Sequence, residues 1–280
     1  MARIYRTPEG GEIIRERYRQ ILGFWPVASE QITVKTSQGE TFVMACGDNA
    51  APPLVMLHGS GSNAAVWMGD APAWARHFRL YAVDLIGEPG LSAPSRPPLA
   101  GGAHAAWLGE VLEGLGVTSA AMVGVSLGGW MALDFATGSP ARVNALVLVC
   151  PGGIGRQRPG FGLKAMALLM LGPWGRRMAL TAALGSRDVD PRVAAYLTLI
   201  FAHFIGRRDK LPIFDDAALR RLALPVLLIV GGQDAMLDSA ETRARLEACA
   251  PRVTTRFLPE AGHMIRGQAE AILAFLQGGA

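Results

Sequence analysis

Ser126 stands in the middle of Gly124-Val125-Ser126-Leu127-Gly128, directly after the apolar run Ala120 to Val125 and before a helix-compatible stretch from Trp130. A serine on a tight strand-to-helix turn is held in a sparsely populated backbone conformation, which costs about 1–3 kcal/mol. Glycines at 124 and 128 carry no Cβ, so strand and helix can close on each other. The turn exposes the hydroxyl and leaves the Leu127 amide at a helix N-terminus, where negative charge is favoured. Ser126 is therefore read as a nucleophile and the Leu127 amide as a donor to an oxyanion. At this glycine content the pentapeptide alone arises by chance in roughly one chain in six, so its surroundings decide.

A serine hydroxyl needs a base within reach, and the base needs a group that orients it. His263 closes Leu258-Pro259-Glu260-Ala261-Gly262-His263, between the last predicted strand and the final helix, and Gly262 allows the sharp turn that would aim the ring. Asp234 follows the apolar run Val226 to Val230 in Ile229-Val230-Gly231-Gly232-Gln233-Asp234. All three residues fall just past the carboxyl ends of predicted parallel strands, on one rim of a sheet. The second oxyanion donor is expected in Leu57-His58-Gly59-Ser60-Gly61-Ser62, whose small residues let the backbone approach a tetrahedral intermediate. The Ser60 amide is the expected donor, with Gly61 in reserve.

The remaining candidates receive plainer readings. His58 is read as ordering its loop and Asp84 as holding one by hydrogen bonds. His77, His104 and His203 are read as ordinary surface or lid histidines, of which His203 could face a pocket. Cys46, Cys150 and Cys249 are widely separated, and no His, Cys and acidic cluster has metal-ligand spacing, so neither a metal nor another cofactor is implied.

These residues must be carried by regular elements. Ile32 to Thr36 and Thr41 to Ala45 flank Ser37-Gln38-Gly39-Glu40 and read as an antiparallel hairpin. Leu54 to Leu57, Leu80 to Val83, Ala120 to Val125, Ala145 to Val149, Val226 to Val230 and Val253 to Leu258 are near-continuous apolar runs, as a parallel sheet covered on both faces requires. Helices are expected at Glu12 to Leu22, Ala71 to His77, His104 to Gly114, Trp130 to Thr137, Ser239 to Cys249 and Gln268 to Leu276. The fold class is thus α/β, an eight-stranded, mostly parallel sheet with helices on both faces. The interval between strands six and seven is too long for a structureless loop. Its apolar residues include Phe161, Met166, Leu169, Met170, Trp174, Met178, Tyr196, Phe201 and Phe204. It reads as a helical cap, residues 152–224, over a core of residues 1–151 and 225–280, with residues 1–30 as an N-terminal helical extension. The cap's apolar side chains would form its own core and its seal to the main domain, or line a greasy pocket.

Composition narrows the class further. Half of the 280 residues are hydrophobic and 18% are charged, which argues against disorder. The net charge of +4 comes from 27 basic and 23 acidic residues in mixed surroundings, which does not make a nucleic-acid surface. The basic start Met1-Ala2-Arg3-Ile4-Tyr5-Arg6 is not followed by the apolar run of a secretory signal, and no stretch is long enough to span a bilayer. The thiols suit a reducing compartment, so a cytoplasmic location is expected.

His58-Gly59, Asp84 in Val83-Asp84-Leu85-Ile86-Gly87, the Ser126 turn and Gly262-His263 together resemble the α/β-hydrolase superfamily from the hairpin to the last helix. The chain order Ser, Asp, His is the one that superfamily uses. Tyr81-Ala82-Val83-Asp84-Leu85-Ile86-Gly87 and the basic N-terminal helix are similar to a group of bacterial carboxylesterase-like hydrolases with a helical cap. Where the frequent pattern is Asp-x-Pro-Gly-x-Gly-x-Ser, this chain has Asp84-Leu85-Ile86-Gly87-Glu88-Pro89-Gly90-Leu91-Ser92. The resemblance implies a serine hydrolase that cleaves a small, partly apolar carboxylic ester through an acyl-enzyme, with Ser126, Asp234 and His263 as its triad. Relatives with the same His-Gly-Ser-Gly run also imply carbon–carbon or lactone cleavage as an alternative. A third reading keeps the fold only as a ligand-binding module. A serine at the turn argues against the dehalogenase and epoxide hydrolase relatives, which use aspartate there.

Overall fold

Strands buried on both faces set the architecture. In β5 (Ala120–Val125), Ala120 and Met122 join one apolar cluster while Ala121 and Val123 join another; β3 (Pro53–Leu57) divides in the same way. Successive side chains of a strand point to opposite faces, so each face needs its own cover. The computed structural model describes residues 3–158, 172, 175 and 190–278. Its sheet comprises, besides those two, β1 (Ser29–Thr36), β2 (Gly39–Cys46), β4 (Arg79–Val83), β6 (Val143–Val149), β7 (Val226–Gly231) and β8 (Val253–Leu258), in the order β1-β2-β4-β3-β5-β6-β7-β8. Strand β2 runs antiparallel to β1 and β4, and every other pairing is parallel. The eight-stranded, mostly parallel sheet expected from the sequence is therefore present.

The described residues include the helices α1 (Pro8–Leu22), α2 (Ala71–Trp74), α3 (Ala103–Gly114), α4 (Leu127–Gly138), α5 (Pro191–His203), α6 (Asp216–Arg220), α7 (Ser239–Cys249) and α8 (Ala269–Leu276). One face of the sheet is covered by a cluster that includes Trp107, Trp130, Phe135 and Leu246; the other is covered by one that includes Tyr18, Trp74, Ile272 and Phe275. Helix α1 starts earlier than its apolar periodicity predicts. Thr7 caps it by accepting from the Gly10 amide at 3.0 Å, and Pro8 opens the first turn. Among the described residues no helix is long and apolar enough to cross a membrane.

Residues 159–171, 173–174 and 176–189 of the expected cap, with Phe161, Met166, Leu169, Met170, Trp174 and Met178, lie outside the described residues. Both ends of the interval pack into the core, where Ile154, Leu219, Leu222 and Leu224 join the same cluster as Trp130. Helix α5 packs on α1: Ile200 and Phe204 share a small cluster with Ile4 and Ile14, and the Arg6 and Ile205 amides donate to the His203 and Ile4 carbonyls at 2.8 Å each. Tyr196 is half-buried between them, whereas Phe201 remains 48% exposed. The N-terminal segment is thereby tied to the residues that follow β6.

His104 corrects the sequence reading. It is not a surface histidine but only 1% exposed. With Trp107, Leu108 and Val111 it forms the i, i+3, i+4, i+7 stripe of α3 that faces the sheet. Its ring meets Trp130 edge-on, with centroids 5.7 Å apart, and neither ring nitrogen has a hydrogen-bond partner among the described residues. Burial, then the positive charge of Arg207, depresses its pKa to about 4. An unfolded histidine titrates near 6.5, so between these values only the unfolded chain binds the proton. The stability contributed by this residue is consequently lost as pH falls from about 6.5 towards 4. His104→Leu is expected to raise unfolding free energy at pH 7 by about 1 kcal/mol, by removing unpaired buried nitrogens. The gain should be larger at pH 5, as read by urea unfolding at both pH values. An unchanged or lower stability at both would contradict this account.

Candidate active site

The β5–α4 turn holds Ser126 at φ 52° and ψ −109°, one of two non-glycine residues with positive φ among those described. The conformation is over-determined by its neighbours. The Ser126 amide donates to the Val149 carbonyl at 3.0 Å, and its own carbonyl accepts from the amides of Trp130 (3.0 Å) and Gly152 (3.1 Å). A Cβ on Gly124 would lie 2.6 Å from the Gly128 carbonyl oxygen, and one on Gly128 would overlap the carbonyls of Leu57 and His58. The two glycines thus permit α4 to sit against β5 and the end of β3, where Leu57 and Gly124 are paired.

His263 and Asp234 arrive on adjacent loops. Strands β7 and β8 are in register from Val226 opposite Val253 to Gly231 opposite Leu258. Beyond them the loops stay joined, because the Gly232 amide donates to Leu258 (2.8 Å) and the Gln233 amide to Ala261 (2.9 Å). There His263 Nδ1–H meets Asp234 Oδ2 at 2.7 Å, and His263 Nε2 lies 3.0 Å from Ser126 Oγ. The other carboxylate oxygen, Oδ1, accepts from the Met236 (2.7 Å) and Leu237 (3.0 Å) amides. Burial alone would push the Asp234 pKa up; the His263 contact and these amides outweigh it and leave it below the usual carboxylate value. An ionised Asp234 holds the proton on His263 Nδ1 and leaves Nε2 as an acceptor facing Ser126 Oγ.

The loop after β3 closes the site from the other side. Gly59 lies in contact range of Ser126, a Cβ there falling 3.6 Å from the serine Cβ. His58 is buried; its Nε2 accepts from the Leu85 amide at 2.9 Å, so Nδ1 carries the proton it donates to the Gly59 carbonyl at 2.8 Å. Burial lowers its pKa to about 4, which keeps the ring neutral. In a trans peptide N–H and C=O point in opposite directions, so a clamp on the Gly59 carbonyl also aims the Ser60 amide. Among the described residues that amide donates to no protein group, whereas the Gly61 amide is occupied by Glu88. Leu127, as the first residue of α4, has an amide with no intrahelical partner. Of the two amides expected as donors in this loop, that of Gly61 is thus occupied and that of Ser60 is open.

Asp84 organises the loops behind this one. It is fully buried, and Oδ1 accepts from the Tyr18 hydroxyl and the Ala64 amide at 2.8 Å each. Oδ2 accepts from the Leu91 amide at 2.8 Å. Burial raises its pKa to about 6 against the pull of these donors. Asn63 adds a second tie, donating to the Pro89 carbonyl (2.9 Å) and the Tyr196 hydroxyl (2.7 Å). The sequence reading missed Tyr18, Asn63, Tyr196 and Glu88. Tyr18 does show a signal, since it falls on the α1 stripe with Ile14 and Leu22.

The structure brings Ser126, Asp234 and His263 into contact, with Leu127 following the serine and Gly59, which precedes Ser60, alongside it, and leaves His77, His104 and His203 elsewhere. His77 is exposed, and the His203 ring lies against Gly10 of α1. Cys150 is a further neighbour: its Sγ, a carboxylate oxygen of Asp234 and a ring nitrogen of His263 lie within 4.8 Å of one another. Their wide separation in the chain hides this set from any spacing rule. Burial, with the Asp234 charge second, pushes the thiol pKa up to about 12. A protonated thiol beside a carboxylate already engaged is a poor metal ligand.

The sequence pattern of the alpha/beta hydrolase family matches residues 54–275, and the chain belongs to that family. Carboxylesterase YbfK of Bacillus subtilis is 29% identical over 98% of this chain and 97% of its own length. The crystal structure of that protein, also called CesB, superposes with a TM-score of 0.84 at 28% identity, over 97% of this chain and all of the other. Naproxen esterase (carboxylesterase NP) of the same organism gives 0.85 at 25% identity over 97% and 99%.

The Asp84 hub yields a stability prediction. Tyr18→Phe removes one donor from a buried carboxyl and should lower unfolding free energy by about 1–2 kcal/mol. Chemical denaturation followed by circular dichroism checks this; an unchanged midpoint would mean that α1 is not fastened through its hydroxyl.

Proposed function

We propose that this protein is a carboxylesterase that works through an acyl-enzyme on Ser126. The observation that carries the reading is the unbroken chain from Asp234 Oδ2 through His263 to Ser126 Oγ, with contacts of 2.7 and 3.0 Å. The carboxylesterase relatives support the same class of chemistry over nearly the whole chain. Ser126 Oγ attacks the ester carbonyl as its proton passes to His263 Nε2. Negative charge develops on the former carbonyl oxygen, where the Leu127 and Ser60 amides receive it. His263 then returns the proton to the departing alcohol oxygen. A water enters, gives a proton to His263, and its oxygen attacks the acyl carbon; His263 then returns that proton to Ser126 Oγ as the acid leaves. Asp234 holds the ring and stabilises its cation in both halves.

The substrate is a small, partly apolar ester, and the cap over residues 152–224 would bound its pocket. Hydrolysis of p-nitrophenyl esters from acetyl to decanoyl, with wild type and Ser126→Ala compared, tests the reading. The wild type should turn over at least one chain length, and the variant should fall to background at all of them. Asp234→Asn should lose about 10⁴-fold in kcat, as when the orienting acid of a serine protease is neutralised. Ester turnover that survives in Ser126→Ala would place the nucleophile elsewhere. Turnover of carbon–carbon or lactone substrates without esters would move the reaction class.

A further inference from the structure

The second carboxyl of the β4 loop has no part in the triad, yet it reaches the oxyanion loop directly. Glu88 is 1% exposed. Its Oε2 accepts from the Gly61 amide at 2.6 Å and from the Ser60 hydroxyl at 3.3 Å. Gly61 has φ +68° and nothing within 4 Å of where a Cβ would sit, so the turn itself does not fix the residue by packing. Two contacts therefore determine how this loop lies. His58 grips the Gly59 carbonyl, upstream of the Ser60 amide, and Glu88 grips the Gly61 amide and the Ser60 side chain, downstream of it. With only the first, Ser60 is held on one side alone: its Cα and the peptide that follows can shift, and a shift of that Cα displaces the Ser60 amide.

The loop that carries Glu88 is itself fastened. Arg96 from the same loop donates to the Gly87 carbonyl (3.0 Å) and to the Ile205 carbonyl (2.7 Å), linking this loop to the segment after α5. Burial raises the Glu88 pKa to about 7, against the pull of the Gly61 amide, Arg96, Arg207 and the Ser60 hydroxyl. Oε2 can accept from Gly61 in either charge state, because a proton can reside on Oε1. The grip on the loop therefore does not depend on titration.

We propose that Glu88 is a positioning residue for the oxyanion hole, aiming the Ser60 amide through the Gly61 amide and the Ser60 hydroxyl. This rests on the assignment of Ser60 and Ser126 under the proposed function. A misplaced donor weakens the transition state and leaves ground-state binding alone, and loss of one donor outright costs about 10²–10³-fold. Glu88→Ala should therefore lower kcat by about 10–10²-fold with KM changed less than about twofold. Glu88→Gln keeps an acceptor for the Gly61 amide and should retain kcat within about threefold of wild type.

The same three proteins are then compared in their rate of labelling by a fluorophosphonate. In that reaction the Ser126 Oγ–P bond forms, the P–F bond breaks and the hydroxyl proton passes to His263. Labelling should follow the same order, with Glu88→Ala slow and Glu88→Gln near wild type. Wild-type rates of ester turnover and labelling in Glu88→Ala would overturn the proposal. So would equal kcat losses in the two variants, or a loss in Glu88→Ala that lies wholly in KM. If no ester is turned over by the wild type but labelling of Ser126 proceeds, the ester reading fails while the labelling rates still decide the role of Glu88.

Discussion

The approach of helix α4 to the ends of β3 and β5 is the constraint on which the site depends. Gly128 lies against the carbonyls of Leu57 and His58, and Gly124 against the carbonyl of Gly128, so neither position has room for a methyl group. At that contact Ser126 takes its positive-φ conformation, and Leu127 opens α4 with an amide that has no intrahelical acceptor. The contact also brings the loop after β3 to the same point. The strain of a non-glycine residue there, about 1–3 kcal/mol, is offset by the backbone hydrogen bonds that Val149, Trp130 and Gly152 make with Ser126.

Around this centre the chain buries several titratable side chains. His58, Asp84 and Glu88 are all but inaccessible, and burial moves each towards its neutral form. What they accept and donate is mostly backbone: the amides of Leu85, Ala64, Leu91 and Gly61 and the carbonyl of Gly59. An unpaired buried amide costs about 1–3 kcal/mol, so side chains that satisfy several of them turn irregular loops into a fixed frame. The frame extends outward through the Tyr18 hydroxyl to α1, through Asn63 to Tyr196 of α5, and through Arg96 to Ile205.

Much of this was legible in the sequence. Continuous apolar runs marked the strands, and β5, β8 and α7 have the very boundaries their patterns predict. The residues of the candidate site could be chosen because each follows a strand end, a local property. The frame was not legible, because its partners are 27 residues apart for Glu88 and Gly61 and 66 for Tyr18 and Asp84. Periodicity gives the face on which a residue lies but not what it meets there. His104 was misplaced for a related reason: a polar residue type was weighed above its position on the apolar stripe of α3. The loop from Asp84 to Ser92 departs from the common glycine pattern, and its shape depends on Arg96 packed at Gly87 and on Gly90 seated against Asp84.

The central claim is that Ser126 carries the acyl group between two steps. The most direct measurement is the mass of the Ser126-containing peptide after rapid acid quench of the enzyme with a p-nitrophenyl ester. The account predicts that this peptide gains the mass of the acyl group minus one hydrogen, and that Ser126→Ala gains nothing at that position. Ester consumed by the wild type with no acyl mass on Ser126 at any quench time, or with the acyl group on another residue, would contradict it.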